Sequence, residues 1–286
     1  MTETPEPETP QEPADVVPAD AVPVPPRPLE VGELIMLIDR KERRYLTTLV
    51  EGGEFHSHAG AVPHEDMIGH AEGQEFRTGK NAAYLVVRPT LSDFILKMKR
   101  GAQVIYPKDL GPILMLADIF PGARVLESGL GSGALSMTLL RAGANITGYE
   151  VREDFAAQAT ANVTEFMGEA ALERYDVHIR SAYEPFAHSD FDRVVLDLPE
   201  PWSVVPHAAG ALASGGIILA YTPSIIQAAT FRTALQKHGF GMAETIEVLN
   251  RSWHIEPEQN AVRPDHRMVA HTGFLTTARK LVVSTD

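Results

Sequence analysis

Six residues, Asp197-Leu198-Pro199-Glu200-Pro201-Trp202, directly follow the apolar stretch Arg193-Val194-Val195-Leu196. A carboxylate therefore stands where a buried strand ends. Two prolines then force the chain out of the sheet, because proline lacks the ladder N–H and holds its predecessor extended. Such a loop is rigid and lies where open α/β sheets take their ligands, beyond the carboxyl ends of the strands. A second loop, Glu127-Ser128-Gly129-Leu130-Gly131-Ser132-Gly133, follows Arg124-Val125-Leu126. Its alternate glycines let the backbone turn sharply and approach a ligand at the amino end of the next helix. Glu150, 21 residues after Gly129, ends the following strand pattern, where an acid can accept hydrogen bonds from both hydroxyls of a ribose. The spacing places a nucleotide-type cofactor and an acidic, aromatic-tipped reaction site on one sheet edge.

The glycine loop alone leaves the cofactor open, since Gly129-x-Gly131-x-x-Ala134 with a later acid also satisfies the dinucleotide fingerprint. Two details favour S-adenosylmethionine. Glu127 occupies a position that dehydrogenases fill with a small or apolar residue, and an acid there can contact the cationic amino-acid end of that cofactor. Asp-x-Pro-x-Pro-Trp has no role in hydride transfer but suits the pocket of a methyl acceptor.

The elements that must hold these loops alternate along the chain. Strands are expected at 124–127, 145–150, 176–180, 191–197 and 216–221, with helices at 113–120, 134–141, 155–167, 204–213 and 224–237. Repeated β–α units imply a parallel sheet with right-handed crossovers and helices on both faces. A late pair, 241–249 and 268–283, completes the sheet as a hairpin-like edge. Residues 29–89 read as short strands between recurrent turn glycines, which suggests a small β domain. Residues 90–110 form a connector with a helical stretch at 91–98, and 111–286 form the catalytic domain.

Composition narrows the class. The 286 residues contain no cysteine, which excludes a disulfide framework and thiolate metal sites. No stretch approaches the ~20 apolar residues of a membrane span, so a cytoplasmic protein is expected. The net charge of −13 argues against a nucleic-acid partner, but it is unevenly placed. Residues 1–28 hold six acids, one base and nine of the 21 prolines, and are expected to be a disordered tail. Lys97, Lys99, Arg100 and Lys108 form a contrasting basic cluster in the connector. His56, His58, His64 and His70 lack a carboxylate-supported constellation, and no metal is expected.

Several motifs in order resemble the tRNA (adenine-58-N1)-methyltransferases of bacteria and archaea: Arg88-Pro89-Thr90, Gln103-Val104-Ile105-Tyr106-Pro107-Lys108-Asp109, 125–133, 197–202, Ala220-Tyr221-x-Pro223 with Gln227, and His271-Thr272-Gly273-Phe274-Leu275. The resemblance covers about residues 29–283. It implies a Rossmann-like class I methyltransferase sheet behind a small N-terminal β domain, S-adenosylmethionine as cofactor, tRNA as substrate, and a homotetramer. Asp197 matches the family's catalytic position, and Tyr106 and Tyr221 match positions near the target base. Gln103 resembles the family's cofactor-side residue, able to bond the methionine carboxylate, and Phe155 an apolar wall beside the cofactor. With Glu127, Gly129, Leu130, Gly131, Ser132, Gly133, Glu150 and Asp197 they make up the expected cofactor site. One departure stands out: Arg180-Ser181-Ala182-Tyr183 lacks the acid many class I methyltransferases place there for the adenine amino group.

The chemistry suits the residues. N1 of adenine is a neutral nucleophile that becomes cationic on methylation, so a fixed carboxylate bonded to the neighbouring amino group would stabilise the developing charge. A methyltransferase for a protein carboxylate or small molecule is the nearest alternative. A non-catalytic tRNA-binding subunit and a nicotinamide dehydrogenase stand further off.

Overall fold

A computed structural model describes residues 27–101, 103–256 and 261–282. The expected acidic tail lies almost wholly outside the described residues. The N-terminal part is built on β1 (Leu34–Asp39), β2 (Arg44–Thr48), β3 (Glu54–Ser57), β4 (Gly60–Pro63), β5 (Gln74–Arg77) and β6 (Ala83–Val87). Four of these form an antiparallel sheet in the order β2-β1-β6-β5, and β3 and β4 pair as a separate hairpin. Their inner faces enclose a core of Leu29, Ile35, Leu37, Phe55, Tyr84 and Val86. Tyr45, Phe55 and Tyr84 meet there with ring centroids 5.3–6.3 Å apart. Arg88 closes the module by pairing with Glu33 at 2.7 Å and Glu72 at 2.8 Å.

Two helices carry the chain onward, α1 (Leu91–Lys97) and α2 (Pro107–Leu116). Thr90 and Asp93 form a reciprocal capping box that starts α1. The second helix begins six residues earlier than expected. Pro107 stands in its first turn, where a missing N–H costs nothing, and Pro112 is carried inside it. The expected connector boundary at residue 110 therefore falls inside a helix, and α2 straddles it.

The large sheet contains β7 (Arg124–Ser128), β8 (Asn145–Glu150), β9 (Tyr175–Ile179), β10 (Phe191–Leu196), β11 (Leu212–Thr222), β12 (Phe240–Glu247) and β15 (Phe274–Lys280). Its order is β12-β15-β11-β10-β7-β8-β9, with five parallel strands and an antiparallel pair at one edge. The helices α3 (Ala134–Arg141), α4 (Glu153–Met167), α5 (Val205–Ala211) and α6 (Ile225–Lys237) complete the β–α units. The central strands are buried on both faces, as their continuous apolar runs require. One core, with α1–α4, includes Phe94, Ile113 and Leu139; the other, with α5 and α6, includes Leu126, Ile218 and Phe231. Each such side chain contributes roughly 1.5–3 kcal/mol on burial.

The late strands differ from expectation. The second ends at Lys280 and starts only at Phe274, and a separate hairpin, β13 (Trp253–Glu256) with β14 (Ala261–Pro264), precedes it. Adjacent β7 and β10 are followed by helices on opposite faces, so their carboxyl ends form the switch point where such sheets bind ligands.

Candidate active site

Strand pairing brings the two chemistry-bearing loops into contact. Leu196 lies opposite Ser128 in the β10–β7 register, and the Asp197 amide donates to the Ser128 carbonyl at 2.9 Å. Gly129 is held at φ +86°, and a Cβ on it would sit 2.0 Å from the Asp197 carbonyl oxygen. Glycine is thus required by backbone angle and by the close approach of the neighbouring loop. Gly133, at φ +82°, caps α3, and its bare Cα faces Ala159 of α4.

Three carboxylates converge at this edge. Glu127 is fully buried; its Oε1 accepts from Ser136 Oγ at 2.9 Å, while Oε2 has no partner among the described residues. Burial, with the charges of Asp197 and Glu150, pushes its carboxyl up to about 8. Glu150 is buried as well, but its Oε1 accepts from the amides of Val151 and Arg152 at 2.9 and 3.1 Å, and its Oε2 from Gly131 at 3.3 Å. Asp197 is partly exposed, yet protein crowds its carboxyl, and desolvation first, Glu150 second, raise it to about 7. No protein donor among the described residues bonds its side-chain oxygens.

This chemistry favours a cation. An orphaned buried carboxylate oxygen beside two further acids calls for positive charge and N–H donors, which a sulfonium bearing an amino-acid head would supply. A pyrophosphate would meet the same acids with repulsion. The residues therefore fit a cationic donor such as S-adenosylmethionine.

Gln103, Gly129, Leu130, Gly131, Ser132 and Asp197 line one narrow cleft of about 10 Å³. Gln103 is exposed at its rim, and Leu130 also abuts Gly148. Ser132 is buried with an unpartnered hydroxyl. Phe155 sits half-exposed under the Arg152 guanidinium, 3.6 Å from its ring centroid, and faces Gly101 of the connector. It lies against the connector rather than in the helix core.

The Asp197 loop is braced on several sides. Gln227 Nε2 donates to the Pro199 carbonyl at 3.0 Å, the Glu200 amide donates to Tyr183 Oη, and Trp202 packs on the lower core. Tyr221 is half-buried at the end of β11; its hydroxyl donates to the Thr272 carbonyl at 2.6 Å, and burial above all raises it to about 12. Tyr106, the residue before α2, borders a neighbouring groove of about 330 Å³ that also touches Lys108, Ser252 and Arg267.

Some residues do other work than their sequence suggests. Lys108 is no part of an exposed basic cluster: its side chain is buried, paired with Asp109 at 2.8 Å and bonded to the Val248 carbonyl at 2.6 Å. Lys97, Lys99 and Arg100 are exposed. His271 spends both ring nitrogens inside the protein, on Glu247 and the Pro223 carbonyl. Sequence reasoning missed Asn162, fully buried in α4, whose amide donates to Ser132 O at 2.8 Å and Lys99 O at 3.1 Å. An asparagine on the inner face of a helix was the available signal.

Comparison with known proteins adds what geometry cannot. A family model described as the tRNA methyltransferase complex GCD14 subunit matches residues 83–262, and a TrmI-like N-terminal model matches 28–74. The tRNA (adenine(58)-N(1))-methyltransferase TrmI of Thermus thermophilus is 38% identical over 250 residues, covering 86% of this chain and 96% of that protein. A SAM-dependent O-methyltransferase structure from Thermotoga maritima superposes with TM-score 0.84 at 32% identity, covering 90% of this chain and 96% of that one. The tRNA (m1A58) methyltransferase TrmI of Aquifex aeolicus gives TM-score 0.78 at 26% identity, covering 90% and 100%. With its glycine loop, its strand-end acids and these likenesses along almost its whole described length, the chain belongs to the tRNA (adenine-58-N1)-methyltransferase family.

Proposed function

We propose that this protein methylates N1 of adenosine 58 in the T-loop of tRNA, using S-adenosylmethionine. When bound, that cofactor supplies an electrophilic methyl group on a cationic sulfonium. The observation that carries the reading is Asp197, a crowded carboxylate with no protein donor among the described residues, fixed by the Gly129 contact beside Glu127 and Glu150. Glu127 and Glu150 bind and orient the donor, and the Gly129–Gly133 backbone leaves room for it. Asp197 accepts a hydrogen bond from the adenine amino group, raising electron density at N1 and offsetting the positive charge that methylation creates. Tyr106 and Tyr221 receive the flat face of a base swung out of its stack. Gln103 and Phe155 help enclose the site from the connector side.

Loss of Asp197 removes one preorganised electrostatic contact, so Asp197→Ala should slow methylation by about 10²–10³-fold. Tritiated cofactor with unmodified tRNA measures this, and nucleoside mass spectrometry locates the product. Undiminished 1-methyladenosine in the variant refutes the assignment. Methyl transfer to protein or small-molecule acceptors with none to tRNA would favour the alternative substrate class.

The working form is a homotetramer in this reading. The hairpin β13–β14 supports it: Trp253, Ile255 and Val262 are exposed, while His254 and Glu256 between them are partly buried. An apolar outer face of this kind suits contact with a second copy.

A further inference from the structure

Three chain segments meet at a buried ion pair that the chemistry above does not use. Asp109, in the first turn of α2, is 0% exposed. Its Oδ1 accepts from Lys108 Nζ at 2.8 Å, and its Oδ2 accepts from Thr272 Oγ1 at 2.6 Å. Lys108 Nζ also donates to Val248 O, just beyond β12. Thr272 in turn offers its carbonyl to the Tyr221 hydroxyl at 2.6 Å. The next residue is Gly273, and a Cβ there would lie 2.4 Å from Cζ of the Tyr221 ring, so the ring rests directly on the backbone. On the other side, the Asp109 amide donates to the Tyr106 carbonyl at 2.8 Å. The carboxylate is thus bonded, through Thr272, to the segment that seats Tyr221, and it stands on the helix turn that starts at Tyr106.

A buried lysine–aspartate pair is a poor stabiliser. Desolvation offsets most of its attraction, and well-packed apolar residues of similar volume usually do as well or better. What such a pair supplies is directional: both carboxylate oxygens are committed, each to one donor on a different segment. Here one segment begins just after Tyr106, and the other seats the Tyr221 ring and hydroxyl.

We propose that Asp109 is a positioning residue, which through Thr272 and the first turn of α2 sets Tyr221 and Tyr106 at the spacing that receives the adenine ring. The inference rests on the methyltransferase reading of the site. Asp109 touches neither base nor cofactor; it acts through the two tyrosines. It should therefore govern the rate of methyl transfer from bound substrates and leave cofactor affinity nearly unchanged.

Thr272→Val tests this, since it removes the one hydroxyl that joins the two segments and leaves the Lys108–Asp109 pair in place. In the full-length protein it should lower the single-turnover rate with tRNA about tenfold, while calorimetric affinity for S-adenosylhomocysteine stays within about twofold. In a Tyr221→Phe background, already uncoupled from the Thr272 carbonyl, the same substitution should change the rate by less than about twofold. Asp109→Asn should behave like Thr272→Val wherever it folds. Equal losses from Thr272→Val in both backgrounds, or an unchanged rate in the first, would overturn the proposal. A second arm needs no activity. In protein with isotopically labelled tyrosine rings, the Tyr221 resonance, assigned by its absence in Tyr221→Phe, should shift in Thr272→Val while tyrosines of the N-terminal sheet stay in place. An unshifted Tyr221 also defeats it. Wild-type protein that makes no 1-methyladenosine would instead sink the function, and the resonance would still decide the positioning.

Discussion

At Glu127 and Asp197 the protein holds two acids that it largely shields from water, and stability and function pull apart. Both carboxyls lie above their ordinary range, so the folded state keeps protons that the unfolded chain has already released. The stability they contribute is complete below the ordinary carboxylate range and is lost as pH rises through about 7 and then about 8. The cofactor-free protein should therefore melt at progressively lower temperature from about pH 5 to about pH 9. Glu127→Gln should flatten that slope and stabilise the cofactor-free form by about 1–3 kcal/mol above neutral pH, while weakening S-adenosylhomocysteine binding at least tenfold. Thermal melts with and without ligand, repeated across pH, measure both. For catalysis the sign reverses, because Asp197 works as the anion: kcat/KM should fall as pH drops below about 7, and Asp197→Asn should abolish that limb.

At the level of elements, the connector and the glycine loop are built to close on each other. Asn162 ties Lys99 of the connector to Ser132 of the loop, and Gly101 lies against the Phe155 ring. Gln103, Val104 and Ile105 of the connector form one wall of the cleft whose floor is the glycine loop. Asn162→Ala should speed dissociation of S-adenosylhomocysteine several-fold, on the order of one lost buried hydrogen-bond pair, and stopped-flow displacement reads this. The contact between β7 and β10 leaves no room for a side chain at Gly129. Gly129→Ala places a methyl group into the Asp197 carbonyl at a backbone angle alanine resists, and should cost roughly 3 kcal/mol or more of stability together with activity. Chemical denaturation would show it, and a variant of wild-type stability and rate would contradict the packing.

For the molecule as a whole, the question is how a chain with a net charge of −13 meets a polyanion. With Lys108 committed to Asp109, the connector's exposed positive charge is Lys97, Lys99 and Arg100. In an assembly these clusters could be pooled along one RNA path. Reversing all three to glutamate should weaken tRNA binding and make its dependence on log salt shallower by about two, as expected when three phosphate contacts are lost. Anisotropy titrations over a range of salt test this. If the β13–β14 hairpin seats a second copy, as proposed, Trp253→Glu with Ile255→Glu should shift the protein toward the monomer, which sedimentation velocity follows; an unchanged oligomer would show that the hairpin serves another contact.

Most of the β–α alternation, the two loops and their acids were legible from local pattern, because buried parallel strands must be continuous apolar runs and their loops must carry the glycines, prolines and carboxylates. Only the folded chain decided the rest. A lysine and an aspartate beside each other in sequence look alike whether solvated or buried, so nothing local distinguished Lys108 from Lys97. Asn162, Thr272 and Gly273 acquire their roles from partners between 30 and 163 residues away. The convergence of Glu127, Glu150 and Asp197 belongs to the same category: sequence named each acid, but their shared desolvation exists only once three strand ends stand side by side.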